Sequence, residues 1–538
     1  MSEQTHHLPS AAPPPTAPAP RRWLSLAVLC LALLVVTLDN TILNVVLPTL
    51  VTQLHATSSE LQWVVDSYTL VFAGLLLVAG SLADRIGRKR TFLAGLVVFI
   101  VGSTWAALSG SMDMLIAARA GMGIGAALIM PSTLSIVTTL FIDERERHRA
   151  FGIWAAVSGV GFAVGPIVGG LLLAHFWWGS VFLINVPIVA LSLVCSAFLV
   201  PDSRNPVARR PDLIGAALSI AGLSLTLWAI IDAPLHGWTS GVVIGAGVGG
   251  LVVLTAFVLW ELACAQPMLN LSFFRNRRFS AGVGTLAFVM LGGSGALFIL
   301  TQYLQFDLGY TALESGLRVL PAAAAITVVA PLAAPLVRAA GNKVPVVAGL
   351  QVVAVGLWQL SGITTGTGYL ATLPYMIMLG VGMGLVLPSA TSSIMDSLPR
   401  AHTGVGSATN STFMQIGTAL GVAVIGSLQS TRYQDRLTGP LTADSVPHGV
   451  RETILGSLGG ALTVAEKLGT AGAVLARLAR AAFVSGMDLG LRTGAVVVLV
   501  AGVGAALALP ARAKATRSEE AAGQEPADAS GSRADLGA

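Results

Sequence analysis

Three ionisable side chains of the first half lie inside long apolar stretches of the sequence, where a charge is costly. Asp39 and Asp66 occupy the first two stretches, and Arg119 occupies the fourth. An isolated charge in a membrane span costs at least ~2.5–3 kcal/mol on insertion scales, so such residues usually face a water-filled cavity and serve a function. Burial favours the neutral form of a carboxyl group, whereas a neighbouring arginine favours the ionised form. The three residues therefore predict a proton-coupling site. Asp39 is the first choice for the proton carrier and Arg119 for the tuning charge; the alternatives are a structural ion pair and shallow residues whose charged ends reach the membrane surface.

The elements that must position these residues are membrane-spanning helices. Charged residues make up 11% of the 538 residues, against about 25% in soluble domains, and the mean hydropathy is +0.78. Runs of about twenty apolar residues can cross ~30 Å of hydrocarbon as helices. We therefore predict an all-α membrane protein with fourteen spans, near 23–47, 62–83, 91–109, 113–139, 150–173, 180–200, 213–231, 241–262, 280–304, 315–337, 344–362, 369–395, 404–429 and 489–510.

The loops between these runs predict the orientation. The segment GSLADRIGRKR, from Gly80 to Arg90, is basic and should stay in the cytoplasm. Every second loop from it is also basic, whereas the short loops on the other side contain neither Lys nor Arg. This alternation predicts a multi-pass protein of the cell membrane with both termini cytoplasmic, and it explains the basic charge balance without a nucleic-acid partner. The other predicted cytoplasmic basic residues are Arg145, Arg147, Arg149, Arg204, Arg209, Arg210, Arg275, Arg277, Arg278, Arg338, Lys343 and Arg400.

An internal repeat predicts two related halves. Gly87 recurs 254 positions later as Gly341, and Pro131 recurs 257 positions later as Pro388, each within a longer match. Parallel repeats of this kind occur in transporters that rock two bundles around a central site. We predict two six-helix bundles with two inserted spans between them. The divisions are a disordered cytoplasmic tail at 1–21, a bundle at 22–200, the linker with the inserted spans at 201–279, a bundle at 280–510 that includes an outer loop at 430–488, and a disordered cytoplasmic tail at 511–538.

Two further features limit the possible chemistry. The outer loop carries evenly spread charges, which favour one or two amphipathic surface helices over another span. Cys30, Cys195 and Cys264 lie far apart in the sequence, which argues against a disulfide framework or a metal cluster.

Small residues recur every four positions in the fifth span. Gly161, Gly165 and Gly169 form a flat stripe that lets a neighbouring helix backbone approach closely. Pro166 and Gly170 beside them mark a place where the helix can bend. The pattern leaves ordinary packing and a functional hinge both open.

These segments together resemble the major facilitator superfamily. GSLADRIGRKR resembles the signature loop after its second span, and GFAVGPIVGG resembles the antiporter motif of its exporters. LDNTILNVVLP, LQWVVDSYTL, RAGMGIGAAL and WGSVFLINVP are similar to segments of its fourteen-span drug/proton antiporter family, which includes multidrug and antibiotic-resistance exporters. Met122 and Gly179 depart from the Gln and Arg that are usual in that family.

The resemblance implies a role for two of the motifs. In the loop motif, an acid and its basic neighbours latch the cytoplasmic side of the outward-facing state, and Gly87 permits the tight turn that these contacts need. The antiporter motif implies sealing and hinging between the halves. The corresponding latch residues are Gly80, Asp84, Arg85, Gly87 and Arg88.

The predicted substrate cavity lies between the inner faces of the two halves. Candidate polar residues are few, and the second half places no acidic residue deep in its spans. Apolar walls with scattered amides and adaptable methionine favour large, weakly hydrated ligands over sugars or phosphates. The candidates are Asn40, Asn44, Trp63, Gln302, Tyr303, Trp358, Gln359, Asn410, Phe413, Met414 and Gln415.

The sequence therefore predicts a proton-driven exporter of amphipathic or hydrophobic small molecules that works by alternating access. The proton gradient drives it without a cofactor, and its partners are the substrate, protons and the lipid bilayer; a monomer is expected. The alternatives are a dedicated exporter of one secondary metabolite and a membrane-embedded enzyme that acts on lipid-linked substrates. The loops argue against an enzyme, because none carries a phosphate-binding Gly-Lys motif and the predicted cytoplasmic loops are too short to build a catalytic domain.

A reporter that is active only in the cytoplasm tests the predicted orientation. It should be active when fused after Arg210 or Arg278, because these positions lie in basic loops. It should be inactive when fused after Gly237 or within 430–488. A cytoplasmic signal from the long loop would contradict the fourteen-span topology.

Overall fold

The computed structural model describes residues 19–204, 211–398, 403–441 and 447–509. Regular structure in these ranges is helical, and fourteen helices are long and apolar enough to cross a membrane. The predicted all-α fold with fourteen spans is therefore confirmed. Most of the two predicted tails, with Arg209, Arg210 and Arg400, lies outside the described residues. The helices are α1 (Ala19–Leu54), α2 (Ser58–Ile86), α3 (Arg88–Ala107), α4 (Met112–Leu140), α5 (Glu144–His175), α6 (Ser180–Leu183), α7 (Asn185–Leu199), α8 (Leu213–Ile231), α9 (Ala233–His236), α10 (Gly241–Ala263), α11 (Arg277–Gln302), α12 (Ala312–Ala340), α13 (Lys343–Ser361), α14 (Tyr369–Asp396), α15 (Thr403–Thr438), α16 (His448–Gly456), α17 (Leu458–Lys467) and α18 (Gly472–Ala508).

Helix ends follow local capping and turn chemistry. Thr57 starts α2 with a capping box, in which its hydroxyl accepts from the Glu60 amide and the Glu60 carboxylate accepts from the Thr57 amide. Between α2 and α3 the chain turns at Gly87, whose φ of +125° suits glycine and strains other residues. Gly341, its partner in the repeat, has a φ of +78° between α12 and α13. Equivalent points of the two halves therefore use glycine turns.

The first span is longer than the sequence predicts. An end near Pro48 is expected, but α1 continues through Pro48 to Leu54. Proline is tolerated inside a membrane helix when neighbouring groups satisfy the freed backbone, and Leu47 beside it is fully buried. The helix ends before His55, which adopts a left-handed φ of +55°. Asp39 consequently lies about 22 Å from this end of the helix, rather than the ~13 Å that an end at Pro48 would give.

The helices run between two ends of the molecule. We call the end with the α1–α2 turn the His55 end, and the end with the α2–α3 turn the Gly87 end. By their contacts, α1 to α7 form one bundle, and α11 to α15 form a second bundle with α18. The inserted helices α8 and α10 pack on each other, and α8 also packs on both α2 and α15. The insertion therefore lies along one side of the junction between the bundles.

The two bundles meet at the His55 end. Here α2 packs on α15, and the Ser427 hydroxyl donates to the Gln62 side-chain oxygen over 3.1 Å. On the other side α5 packs on α12, where a side chain at Gly316 would overlap the Pro166 carbonyl. Nearer the Gly87 end, residues 151–160 of α5 are exposed or half-exposed. The bundles are thus closed at the His55 end and more open toward the Gly87 end.

Two short helices, α16 and α17, cover the His55 end within the predicted outer loop. Tyr433 of α15 holds them, because its hydroxyl donates to the carbonyls of Ile454 and Ser457. The flanking spans take up more of the chain than the sequence predicts, since α15 runs to Thr438 and α18 begins at Gly472. The evenly spread charges of 430–488 therefore lie partly on the water-exposed ends of α15 and α18 and partly in the loop between them.

The glycine stripe of α5 packs on α1. A Cβ at Gly161 would overlap the Thr37 side chain, and a Cβ at Gly165 would overlap the Thr41 hydroxyl. This close approach holds α5 against the part of α1 that carries Asp39. Gly169 contacts Ile42 of α1 in the same way. The neighbouring residues Gly170 and Pro166 instead contact α12, at Leu313 and at Gly316.

Paired glycine substitutions in α5 test the close contact with α1. In a helix interior alanine is favoured over glycine by about 1 kcal/mol, and a Cβ at Gly159 would meet nothing within 4 Å. Gly159→Ala should therefore leave the midpoint of thermal unfolding in detergent unchanged or raise it. Gly165→Ala should lower the midpoint, because overpacking costs about 1–3 kcal/mol. Equal midpoints for the two variants would show that α1 and α5 do not pack this closely.

Candidate functional site

A buried ion pair forms the centre of the site in the first bundle. Arg119 Nη1 of α4 lies 2.5 Å from Asp39 Oδ2 of α1, and the two side chains are 1% and 0% exposed. A charge in an apolar interior is tolerated when an opposite charge and hydrogen bonds balance it. The fold therefore brings together two of the three ionisable residues that the sequence selects.

Side chains and backbone from other helices complete the environment of the pair. Asn185 of α7 donates its side-chain amide to Asp39 Oδ1 over 3.2 Å. Arg119 Nε donates to the Val64 carbonyl of α2 over 3.2 Å, and its guanidinium lies 4.3 Å from the centre of the Tyr68 ring. Each carboxylate oxygen of Asp39 thus has a donor. The pair is a charge-neutral element whose hydrogen bonds tie four helices together.

Asp66 is buried without such partners. It lies on α2, its side chain is fully buried, and neither carboxyl oxygen has a hydrogen-bond partner in the described part of the chain. An ionised carboxylate in an apolar interior is strongly destabilised unless it is paired. Asp66 is therefore stable in this conformation as the neutral acid. It differs in this respect from Asp39, which lies in the same bundle.

The chemistry available to these groups is proton transfer at a carboxyl beside a fixed ion pair. The two parts are linked through α2, which carries Asp66 and whose Val64 carbonyl accepts from Arg119. Within the described ranges, no group of three or more His, Cys, Asp or Glu side chains could hold a metal ion.

The basic loop at the Gly87 end packs on the first bundle. Arg88 Nη2 lies 2.8 Å from Asp84 Oδ1, and Arg88 Nη1 donates to the Ser135 carbonyl of α4 over 3.2 Å. Arg85 is exposed, and Gly80 lies beside α4. The side-chain hydrogen bonds and the ion pair described for Asp84 and Arg88 stay within the first bundle, as expected where the Gly87 end is open.

Some of the predicted cavity residues lie on helices that face the junction. Asn40 and Asn44 lie on α1, where Asn40 is half-buried and donates to the Val36 carbonyl. Gln415 of α15 borders a small apolar pocket with Leu70 of α2. The same part of α15 contributes Asn410, which is buried, and Phe413 and Met414, which are half-buried.

Four other predicted cavity residues lie elsewhere. Trp358 and Gln359 are exposed on α13, which packs within the second bundle, and the Trp358 ring lies 5.6 Å from the Arg492 guanidinium of α18. Tyr303 donates its hydroxyl to carbonyls in the α13–α14 turn. The adjacent Gln302 bonds to its own helix. The structure therefore does not bring these four to the junction; their spans are apolar on every face, so the sequence does not reveal which face points inward.

Trp63 joins α2 to the insertion. Its indole donates to Asp232 Oδ2, just after α8, over 3.3 Å. Burial raises the pKa of Asp232, and the hydrogen bond from Trp63 opposes that shift. After α9, Trp238 donates to the Thr431 hydroxyl of α15 over 2.9 Å. The insertion therefore bonds to both bundles at the His55 end.

Arg318 and Asn185 are candidate residues that the sequence pattern does not single out. Arg318 of α12 is half-buried, with its guanidinium 3.6 Å from the centre of the Tyr310 ring and 5.5 Å from that of Tyr369. Two aromatic faces thus stabilise a cation near the His55 end. The sequence contains one signal for each of them: Arg318 is the one basic residue within the tenth apolar run, and Asn185 is the one amide within the sixth.

Fourteen apolar helices, arranged as two six-span bundles with two inserted spans beside them and with buried ionisable groups in the first bundle, define a multi-pass membrane transporter. The family model described as "Major Facilitator Superfamily" matches residues 29–422. The chain belongs to this family.

Individual relatives match almost the whole chain. The multidrug efflux pump LfrA of Mycolicibacterium smegmatis is 35% identical over 505 residues, which are 93% of this chain and 98% of the relative. The tetracenomycin C resistance and export protein of Streptomyces glaucescens is 32% identical over 538 residues, 98% and 99% of the two chains. Among solved structures, a bacterial homologue of the human lysosomal transporter Spinster, inward-facing and unoccupied, aligns with a TM-score of 0.64 at 17% identity, covering 91% of this chain and 98% of that one. The last match shows a shared fold.

A double-mutant cycle tests whether the buried pair acts as one unit. Asp39→Asn leaves the Arg119 charge unbalanced, and Arg119→Met leaves the Asp39 charge unbalanced. Each should lower the stability in detergent, because breaking a buried pair costs about 3–5 kcal/mol. The double variant should recover most of this loss, since it buries no net charge, and the midpoint of denaturant unfolding measures the difference. Asp113→Asn, at an exposed position of α4, is the control. Additive losses in the double variant would contradict the coupling.

Proposed function

We propose that the chain is a proton-coupled antiporter that exports amphipathic or hydrophobic small molecules from the cytoplasm by alternating access. In this proposal the Gly87 end and both termini face the cytoplasm, because that end carries the basic loops. The segments 22–200 and 280–510 move as the two bundles, with 201–279 as the inserted element, and one chain is sufficient for transport.

The observation that carries the proposal is the unpaired, fully buried Asp66 on a helix that closes the junction. Such a carboxyl keeps its proton while its surroundings are dry, and it loses the proton when water or a cation reaches it. Because α2 also forms the contact with α15, a change at Asp66 can be coupled to the opening of the His55 end.

Asp39 and Arg119 have a different role in this proposal. The sequence pattern favours Asp39 as the proton carrier, but the contacts of the two residues in the structure favour Asp66. Asp39 is already held by Arg119 and Asn185, so protonating it would break an established ion pair. We therefore assign the proton to Asp66, and we assign to the pair the task of keeping α1 and α4 aligned with α2.

The order of events follows from the closed His55 end. The substrate enters from the Gly87 end while that end is open, and Asp66 releases its proton to the cytoplasm. The His55 end then opens, and the loop with Asp84, Arg85 and Arg88 latches the Gly87 end. The substrate leaves, and a proton from outside returns to Asp66. One proton-binding group thereby exchanges an outward-moving substrate for an inward-moving proton.

The residue types near the junction and the name of one relative support a broad substrate range. The residues near the junction are amides, methionine and phenylalanine, which suit large, weakly hydrated molecules. LfrA, which aligns over nearly its full length, is named a multidrug efflux pump.

A dedicated exporter of one metabolite is the second candidate. It is favoured by the similarity to the tetracenomycin C resistance and export protein, which this chain matches over 99% of its length. The two candidates share the fold and the proton site, and they differ in the number of compounds that the cavity accepts.

Drug resistance in a pump-deficient cell tests the function. Producing the protein should raise the inhibitory concentration of several hydrophobic antibiotics or dyes several-fold, and a proton uncoupler should cancel the effect. Asp66→Asn should lose uphill export while still exchanging a labelled dye across vesicles without a gradient, because asparagine cannot carry the proton. Asp113→Asn, an exposed acid, is the matched control.

Three outcomes would change the proposal. Resistance to a single compound would favour the dedicated exporter. Uphill export by Asp66→Asn at the normal rate would exclude Asp66 as the proton carrier. An absence of resistance together with accumulation of a polar nutrient would contradict export.

A further inference from the structure

Gln62 is buried at the contact between α2 and α15, which we call the α2–α15 seam. Its side chain is 0% exposed, and its Oε1 accepts from the Ser427 hydroxyl over 3.1 Å. Gly426 makes room for it, since a Cβ there would lie 2.9 Å from the Gln62 Cδ. The Gln62 Nε2, however, has no hydrogen-bond partner in the described part of the chain. One end of the amide thus bonds across the seam while its donor end is unsatisfied.

Asp66 follows Gln62 by four positions on the same helix. Side chains at this spacing are neighbours on one helix face, with Cβ atoms about 5–6 Å apart. Both carboxyl oxygens of Asp66 also lack partners among the described residues. A buried amide donor and a buried carboxyl, neither satisfied, therefore lie on one face of α2. Unsatisfied groups of this kind are rare in folded proteins and call for an explanation.

We propose that Gln62 transmits the protonation state of Asp66 to the α2–α15 seam. While Asp66 is neutral, the Gln62 amide stays with Ser427, and the His55 end is closed. When Asp66 releases its proton, its carboxylate accepts a charge-assisted hydrogen bond from Gln62 Nε2, which is stronger than a neutral one. The amide turns toward Asp66, the bond to Ser427 is lost, and the seam is free to open. This inference rests on the proposed function, because it takes Asp66 as the proton carrier.

The direction of this switch agrees with antiport. Loss of the proton opens the His55 end, where the substrate leaves, and return of a proton closes it again. A substrate that moves outward is thus exchanged for a proton that moves inward. The opposite assignment, with the neutral acid opening the seam, would move substrate and proton in the same direction.

Other ionisable groups near Asp66 have partners of their own. Asp39 of α1 and Arg119 of α4 bond to each other. On α2 itself, Glu60 caps the helix, and the Tyr68 hydroxyl lies 3.5 Å from the Asn40 amide. Three other elements pack on α2. Asp232 after α8 bonds to Trp63, and α3 has no ionisable group beyond its first turn. The ionisable groups of α15 lie nearer its C-terminal end than Ser427 does; they are Arg432, Tyr433, Asp435 and Arg436.

Cysteine labelling at the seam tests the proposal. Ser430, three residues from Ser427 toward the end of α15, is 2% exposed and can be replaced by cysteine with little change in volume. The background carries Cys30→Ala, Cys195→Ala and Cys264→Ala, and the protein is held in lipid nanodiscs. The rate of reaction with a water-soluble maleimide is measured at pH 6 and pH 7.5. Thiols react faster as they ionise, whatever the state of the seam. For each protein, the ratio of the rate at pH 7.5 to the rate at pH 6 is therefore divided by the same ratio for the Asp66→Asn variant.

In the parent, the normalised labelling ratio should be several-fold above one, since ionised Asp66 opens the seam. Gln62→Met keeps the length of the side chain but removes the amide, and it should bring the ratio to one. Gln53→Leu, at an exposed glutamine near the end of α1, is the matched control and should keep the parent ratio. Ser427→Ala, which removes the other partner, should raise labelling at pH 6 and so lower the ratio.

The failures of the two proposals are distinguishable. If Gln62→Met keeps the parent ratio, Gln62 is a static part of the seam and the inference is wrong, while the proposed function stands. If Gln62 had only a static role, the Gln62→Met substitution would change the labelling rate by the same factor at both pH values. If the parent and Asp66→Asn show the same pH dependence, Asp66 does not control the seam, and both the inference and the choice of Asp66 are wrong. Should Gln62→Met not accumulate in the membrane, Ser427→Ala decides the matter alone.

Discussion

A charge in an apolar helix bundle must be paired or neutralised, and the first bundle is built around this constraint. Asp39 meets it by pairing with Arg119, and the pair draws α1, α4 and α7 onto the backbone of α2. Asp66 meets it by staying neutral. The difference matters because the two solutions respond differently to water. A bonded ion pair resists change, whereas an unpaired acid ionises as soon as its surroundings become polar.

Close backbone contacts determine where this arrangement is rigid and where it can move. The glycine stripe locks α5 onto α1 beside Asp39, within one bundle. Gly170 and Pro166 of the same helix contact α12 of the other bundle. One short segment thus contacts its own bundle on one face and the other bundle on another face. The packing interpretation applies to the first face, and the hinge interpretation stays a prediction for the second.

The sequence predicts the spans well, because crossing a membrane demands about twenty apolar residues whatever the neighbours are. It also selects both Asp39 and Arg119, since both are charges inside apolar runs. It fails where tertiary packing decides: α1 passes through Pro48, and α18 begins well before its apolar part. Trp358 is misplaced because α13 is apolar all round. Gln62 and Ser427 are 365 positions apart, and nothing local marks them as partners.

The two halves are related by a repeat but contribute unequally to the site. The first half supplies the acids and the arginine that the proposed proton chemistry uses. The second half supplies the Ser427 hydroxyl to the α2–α15 seam and the backbone at Leu313 to the contact between α5 and α12. A proton-binding group confined to one half can drive rocking only if its state is felt across the junction. The insertion bonds to both sides of that junction, because Asp232 accepts from Trp63 of the first half and Trp238 donates to Thr431 of the second. Because it bonds to both halves there, any opening of the His55 end has to break at least one of these contacts.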